Sequence, residues 1–371
     1  MSPFILIWLV LVFLLGATVG SFLNVCIHRL PYEKSIFWPL SSRCGNCLQQ
    51  IRWYDNLPLL SYWVLRGRCR ACKSSFSMRY FIVELFTALS FLGLFYVEVI
   101  LNVHQLQCLK DKQFLIQSGV IPAEGWIFFV YHAILISFLI VVSGCDLEHQ
   151  EIPMSIPLTG MCLGLLGGVL FPWPWPYSPL EAAPNPAKFA LGWAGGANLG
   201  PRLALQPWPA WYPLPAWLDL GGNWQTGLIT ALAGMLMGTA ALRAVRFVFG
   251  VGRGIEGLGL GDADLMLMCG SFLGWQIVLI GFFVAVVPGL FFGILQLVKK
   301  GDQALPFGPS LAMGVVITWL CWRWIGPWAQ PLLFDGMLMP LLGIVGGLFL
   351  LVAGFLLGAF RGGEPESPPA V

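Results

Sequence analysis

Two aspartates and four cysteines carry the chemistry legible in this 371-residue chain. Asp262 stands in "GLGLGDADL" (257–265), among glycine and alanine, with an apolar run behind it. Asp146 ends another such run, "LISFLIVVSGCDLEHQEIP", with Glu148, His149 and Glu151 close by. An ionisable group at the edge of a membrane segment is costly and calls for a partner and a task. Two carboxylates brought together in a low dielectric cannot both ionise easily, so they share a proton. One member can then activate water while the other protonates a leaving group or carbonyl. Gly259 and Gly261 let a backbone approach closely, which suits an extended peptide beside Asp262. The competing reading makes both aspartates interfacial caps, with Asp262 capping a helix that starts near 263. Pairing separates the two: caps have no reason to meet across helices, whereas a dyad must.

The cysteines form "CGNC" (Cys44, Cys47) and "CRAC" (Cys69, Cys72), a C-x2-C pair on each side of a 21-residue spacer. Each pair puts two thiolates on one tight turn, and two turns complete a closed tetrahedral Zn2+ site. Disulfides compete with this reading, but a reducing cytoplasm argues against them. So short a loop has little core, and metal binding supplies much of its folding energy. Cys26, Cys108, Cys145, Cys162, Cys269 and Cys321 are scattered and read as small apolar filler.

The elements that must position these groups are membrane helices. The chain is 57% hydrophobic and only 10% charged, where soluble domains carry about 25% charge. Spanning helices need roughly 20 mostly apolar residues. Such segments fall at about 4–25, 80–101, 126–145, 153–171, 226–249, 276–298, 309–326 and 336–359, with a shorter one at 262–274. The fold class is an all-α polytopic membrane protein of eight to nine transmembrane segments with a small cytoplasmic zinc-ribbon-like loop. The first segment lacks a basic n-region and a clear cleavage site, and reads as an uncleaved anchor.

Lysine and arginine orient the array, because positive loops stay inside. Nine of the 20 lie within 26–79: Arg29, Lys34, Arg43, Arg52, Arg66, Arg68, Arg70, Lys73 and Arg79. With that loop inside, the N-terminus is extracytoplasmic, and Asp146 and Asp262 fall at one inner boundary. The organisation expected is an anchor (1–25), a cytoplasmic four-cysteine zinc-binding loop (26–79), spans with the first aspartate (80–171), an extracytoplasmic Pro/Trp-rich insertion (172–225), a core with the second aspartate (226–335), and an extra span with a disordered tail (336–371). The insertion reads as an addition without chemistry, with a lid over the outer face as the alternative. Nothing suggests nucleic acid: "GVGRGIEGLGLG" follows no strand and forms no phosphate loop.

"ATVGSFLNVCIHRLP" (17–31), the paired cysteines, "DNLPLLSYWVLRGRCRACKSSFSMRYFIVE" (55–84), Asp146, "GLGDADL" (259–265) and "LPFGPSLAMG" (305–314) together resemble the type IV prepilin peptidases, the GxGD-type aspartic leader peptidases. The resemblance implies a bacterial inner-membrane endopeptidase that removes leader peptides from prepilins or pseudopilins at the cytoplasmic face, after a glycine. Asp146 matches the first catalytic aspartate and Asp262 the second. Many members then methylate the new N-terminus with S-adenosylmethionine, which makes that molecule a candidate cofactor. Three departures stand out. Asp264 occupies a position that is usually lysine, Met154 one that is often aspartate, and the last segment exceeds the usual eight spans.

Glu84 reads first as a structural partner of Arg79 or of an arginine in the cysteine loop, and second as support for methyl transfer. Asn24 suits a bond between helices, and His149 a solvated loop. Two other classes of function compete with a peptidase. One is a catalytically altered scaffold of a pilus or secretion system; the other is a proton-coupled transporter. A transporter would place its polar groups near the midplane, whereas these carboxylates gather at one face.

Overall fold

The computed structural model describes residues 2–36, 38, 42–104, 106–171, 224–253, 259–300 and 306–361. The insertion expected from 172 onward (through 223) and the tail after 361 lie outside the described residues. Among the described residues the fold is helical, with two isolated β-bridges and no strand. In chain order the helices are α1 (Pro3–Arg29), α2 (Leu60–Leu65), α3 (Arg79–Phe95) with a π-turn (Tyr96–Ile100), α4 (Gln107–Lys110), α5 (Gln113–Ser118), α6 (Ala123–His149) and α7 (Ser155–Leu170). There follow α8 (Trp224–Arg253), α9 (Leu260–Leu273), α10 (Trp275–Lys300), α11 (Gly308–Leu320), α12 (Trp322–Leu333) and α13 (Leu338–Arg361).

Among the described residues five helices, α1, α3 with its π-turn, α6, α8 and α10, are long and apolar enough to cross a membrane. The shorter α7, α9 and α11, together with α13 (Leu338–Arg361), correspond to the remaining segments expected from the sequence. The expected span 309–326 is corrected: the chain leaves the helix at Cys321, so α11 and α12 are separate elements.

Close backbone crossings hold the array together, as they do where lipid removes the hydrophobic drive between helices. Gly16 and Gly20 bring α1 onto α3, so tightly that an added Cβ would lie 2.7 Å from Ala88 Cα and 2.8 Å from Glu84 Cα. Gly234 of α8 and Gly270 of α9 meet face to face, so that a Cβ on either would strike the other's carbonyl. That crossing secures α9, which is too short to span alone. Asn24 Nδ2 donates to the Tyr80 carbonyl at 3.0 Å, the bond between helices anticipated for it.

The bundle has two distinct ends. At one, Trp8 Nε1 donates to Gly119 O at 2.9 Å and Trp8 packs on Trp126. A polar cluster is buried toward the same end. Glu98 Oε1 lies 3.0 Å from His132 Nδ1 and 3.3 Å from His104 Nε2, and both imidazoles lie against Trp319. At the other end Ile27 packs on Gly144, Tyr32 on His149, and Arg79 pairs with Glu148. That second end carries both the cysteine loop and the aspartates.

Candidate active site

Helix α6 delivers Asp146 in its last turn. The helix closes at Gln150, whose left-handed backbone (φ 54°) returns its N–H to the Asp146 carbonyl. Helix α9 delivers Asp262, and the capping expectation is corrected here. The N-cap is Gly259, and Asp262 is the third residue of the helix proper. Its carboxyl reaches back to the Gly259 N–H, which is half of a capping box. A carboxylate in a first turn also sits at the positive end of the helix.

A third element completes the arrangement. Gly308 opens α11, and its N–H donates to Asp146 Oδ2 at 2.8 Å. A Cβ at Gly308 would lie 2.7 Å from that oxygen, so only glycine permits the contact. Asp146 and Asp262 are only 7% and 8% exposed, and they are close enough that the charge of one acts on the other. The N-terminus of α11 therefore bonds one buried carboxyl and the N-terminus of α9 carries the other nearby. Such a pair can hold a single proton between its members and orient a water for attack on a carbonyl.

The two flanking glycines serve different ends. A Cβ on Gly261 would lie 2.8 Å from Ile152 Cβ, so this residue seats α9 against the turn that follows Asp146. Among the described residues, a Cβ on Gly259 would meet nothing closer than Asp262 Oδ2 at 3.7 Å. Asp264 points elsewhere, toward Arg243 of α8 at 3.7 Å.

The four cysteines lie on two copies of one turn. In each, the first cysteine's carbonyl accepts an N–H four residues on, from Leu48 (3.0 Å) and from Lys73 (3.0 Å), both in the left-handed region. The bridges Arg43–Gln50 and Arg68–Ser75 close the turns. All four Sγ atoms lie within 4.8 Å of one another, and Cys44 Sγ to Cys72 Sγ is 3.7 Å. A tetrahedron with Zn–S bonds near 2.3 Å has edges of about 3.8 Å, so the donor set fits that ion. Backbone N–H groups of Cys47 and Asn46 lower the Cys44 thiol, while desolvation and the neighbouring sulfurs raise Cys47, so the cluster shares its protons and a metal must displace them. Asp55 and Arg70 brace the loop through a bidentate pair at 2.6–3.1 Å.

Glu84 departs from its first expectation. Its Oε2 accepts the Leu59 N–H at 2.7 Å, and Ser21 also bonds it, while Arg79 pairs with Glu148 instead. His149 is part of a packed contact with Tyr32 rather than a free loop side chain. Three features escaped the sequence reading: the Gly308 amide, the Arg79–Glu148 pair and the Glu98 cluster. Only the last left a strong signal, a lone glutamate inside the apolar run "GLFYVEVI" (93–100).

A helical membrane protein with a buried carboxyl pair at one end and a four-cysteine loop beside it is the class these features define. Comparison with known proteins gives the family. The bacterial peptidase A24 N-terminal domain matches residues 14–98, and the type IV leader peptidase family matches residues 208–294. The chain is 30% identical over 320 residues to the "type 4 prepilin-like proteins leader peptide-processing enzyme" of Escherichia coli O78:H11, covering 82% of this chain and 90% of that protein. It is 31% identical over 293 residues to a "prepilin leader peptidase/N-methyltransferase" of Myxococcus xanthus, covering 79% of this chain and 64% of the relative. The like-named protein of Pseudomonas aeruginosa is 27% identical over 341 residues, with 84% and 88% covered. No solved structure matches the chain. The chain belongs to the type IV leader peptidase family, the prepilin peptidases, and is an enzyme.

Proposed function

We propose that the chain is an aspartic endopeptidase that removes the leader peptide of prepilins or pseudopilins at the cytoplasmic face of the inner membrane, with its N-terminus outside. The observation that supports this reading is the proximity of Asp146 and Asp262 at the loop end of the bundle, each buried, with the Gly308 amide bound to Asp146. One carboxylate takes a proton from water as the water attacks the scissile carbonyl. The other, protonated, first hydrogen-bonds that carbonyl and then gives its proton to the departing amine. Gly259, with no side chain beside the Asp262 carboxyl, suits the close approach of an extended peptide. Cys44, Cys47, Cys69 and Cys72 hold a structural Zn2+ that closes the loop fold and takes no part in the chemistry.

The methyltransferase half of the relatives' names enters as a further proposal, methylation of the new N-terminus with S-adenosylmethionine. Glu84, whose Oε2 accepts the Leu59 N–H, keeps the supporting role in that transfer suggested for it. No step of the transfer is assigned.

Co-expression with a prepilin from the same genome, read by mass spectrometry of the substrate N-terminus, tests the peptidase. A new N-terminus that disappears with Asp262→Asn is the expected result. An uncut prepilin, with the protein shown to be in the membrane, would favour the scaffold reading instead.

A further inference from the structure

The cysteine loop ought to stand clear of the bilayer, yet one part of it reaches back along the bundle. The Leu59 N–H donates to Glu84 Oε2 at 2.7 Å, and the rings of Tyr62 and Trp63 lie 5.6 and 5.7 Å from that of Phe81. Glu84 is also bonded to Ser21 of α1. The level of Asp146 on the same helix is marked by Ile27, whose carbonyl accepts from the Cys145 thiol. At about 1.5 Å per residue, the step from Ile27 back to Ser21 is about 9 Å along the axis. Leu59, at the start of α2, is therefore held inward of the aspartate level by up to about that distance, and Tyr62 and Trp63, on Phe81, lie about one helical turn nearer the loop.

The side chains on this segment match such a depth. Leu60, Trp63 and Val64 are 63%, 65% and 71% exposed, although all three are apolar. Arg66 and Arg68, both exposed, follow directly where α2 ends, and Arg52 and Lys73 are exposed elsewhere on the loop. An apolar tip followed by long cationic side chains suits an interface, where the tip enters the acyl region and the cations reach back to headgroups. Clustered cations beside a membrane segment select anionic lipid.

We propose that residues 57–65 form an interfacial wedge. It inserts Leu60, Trp63 and Val64 among the anionic lipids of the leaflet on the loop side, and so fixes the four-cysteine unit against the membrane beside the active site. This rests on the reading that the aspartate end of the bundle lies at the bilayer boundary. The charge of the loop and the depth of α2 favour lipid over a substrate helix as the occupant.

A photoreactive benzoylphenylalanine placed at Leu60 or Val64 of the full chain, with Leu48 on the first cysteine turn as the comparison, tests the wedge. Vesicles of phosphatidylethanolamine with phosphatidylglycerol are the probe, and lipid adducts are counted by mass spectrometry. Lipid adducts at 60 and 64 should exceed those at 48 several-fold, and should fall when phosphatidylcholine alone is used. Equal adduct yields at all three positions would overturn the wedge. A co-reconstituted prepilin that replaced lipid in the adducts would overturn the choice of occupant, and equal yields in both vesicle types would overturn the anionic preference. The adducts form whether or not the protein cleaves, so failure here is distinct from failure of the peptidase reading.

Discussion

The cysteine loop and the aspartate site lie at the same end of the molecule but are built in opposite ways. The four cysteines fall between 44 and 72, and each pair sits on one turn closed by its own backbone bonds. The aspartate site draws on α6, α9 and α11, and the bond from Gly308 to Asp146 joins residues 162 apart in the chain. A site assembled locally depends on its own turns and its metal. A site assembled from distant helices depends on every crossing that sets their positions. The first should therefore fail alone, and the second should fail with the packing.

The largest expected effect is at the carboxyls. Asp146→Asn or Asp262→Asn should lower cleavage by about 10²–10⁴-fold, the usual range for losing an acid or base, with the protein still in the membrane. Near-normal turnover by either variant, measured as prepilin cleaved per enzyme, would sink the dyad. Gly308→Ala comes next. Its Cβ must push Asp146 aside, and a misplacement of about 1 Å can cost about 10²-fold, whereas the cysteine loop should keep its metal. Finding metal lost from this variant would show that the two regions are not separable.

Metal removal by a chelator, or Cys44→Ser, should reverse that pattern. The loop should become open to protease between 44 and 76, while cleavage falls less than it does for Gly308→Ala. Metal binding displaces the thiol protons, so acid competes with zinc for the four sulfurs. Bound zinc, measured by elemental analysis across a pH series, should fall as the pH is lowered, and prepilin cleavage should not fall in step with it. The smallest effect is expected where the regions touch. Arg79 and Glu148 are partly exposed (31% and 22%), and such pairs are worth about 0.2–1 kcal/mol. Arg79→Ala should change cleavage by no more than a few-fold; a loss as large as that from Gly308→Ala would mean that the loop sets the position of α6.

How far each region could be read in advance follows from the same contrast. The Cys-x2-Cys pairs declare the loop, since ligands on a single turn need no knowledge of the rest of the fold. The apolar segments declare the helices and their order along the chain, because a bilayer admits few alternatives. Glu84 could be flagged but not partnered: its acceptor role toward Leu59 requires knowing how α2 lies against α3. The cap reading of Asp262 failed by a register of a few residues, since Gly259 rather than Asp262 begins the turn.

The sequence by itself determined a helical membrane protein, a four-cysteine loop and two aspartates at the edges of apolar runs. These properties depend on residue type and on spacing along one element. Only the tertiary structure decided that Asp146 and Asp262 lie near enough for their charges to interact, that Gly308 supplies an amide, that Glu98 gathers two histidines, and that the start of α2 reaches Glu84. Each of those is a distance between helices, set by crossings such as Gly234 on Gly270 that no single segment encodes.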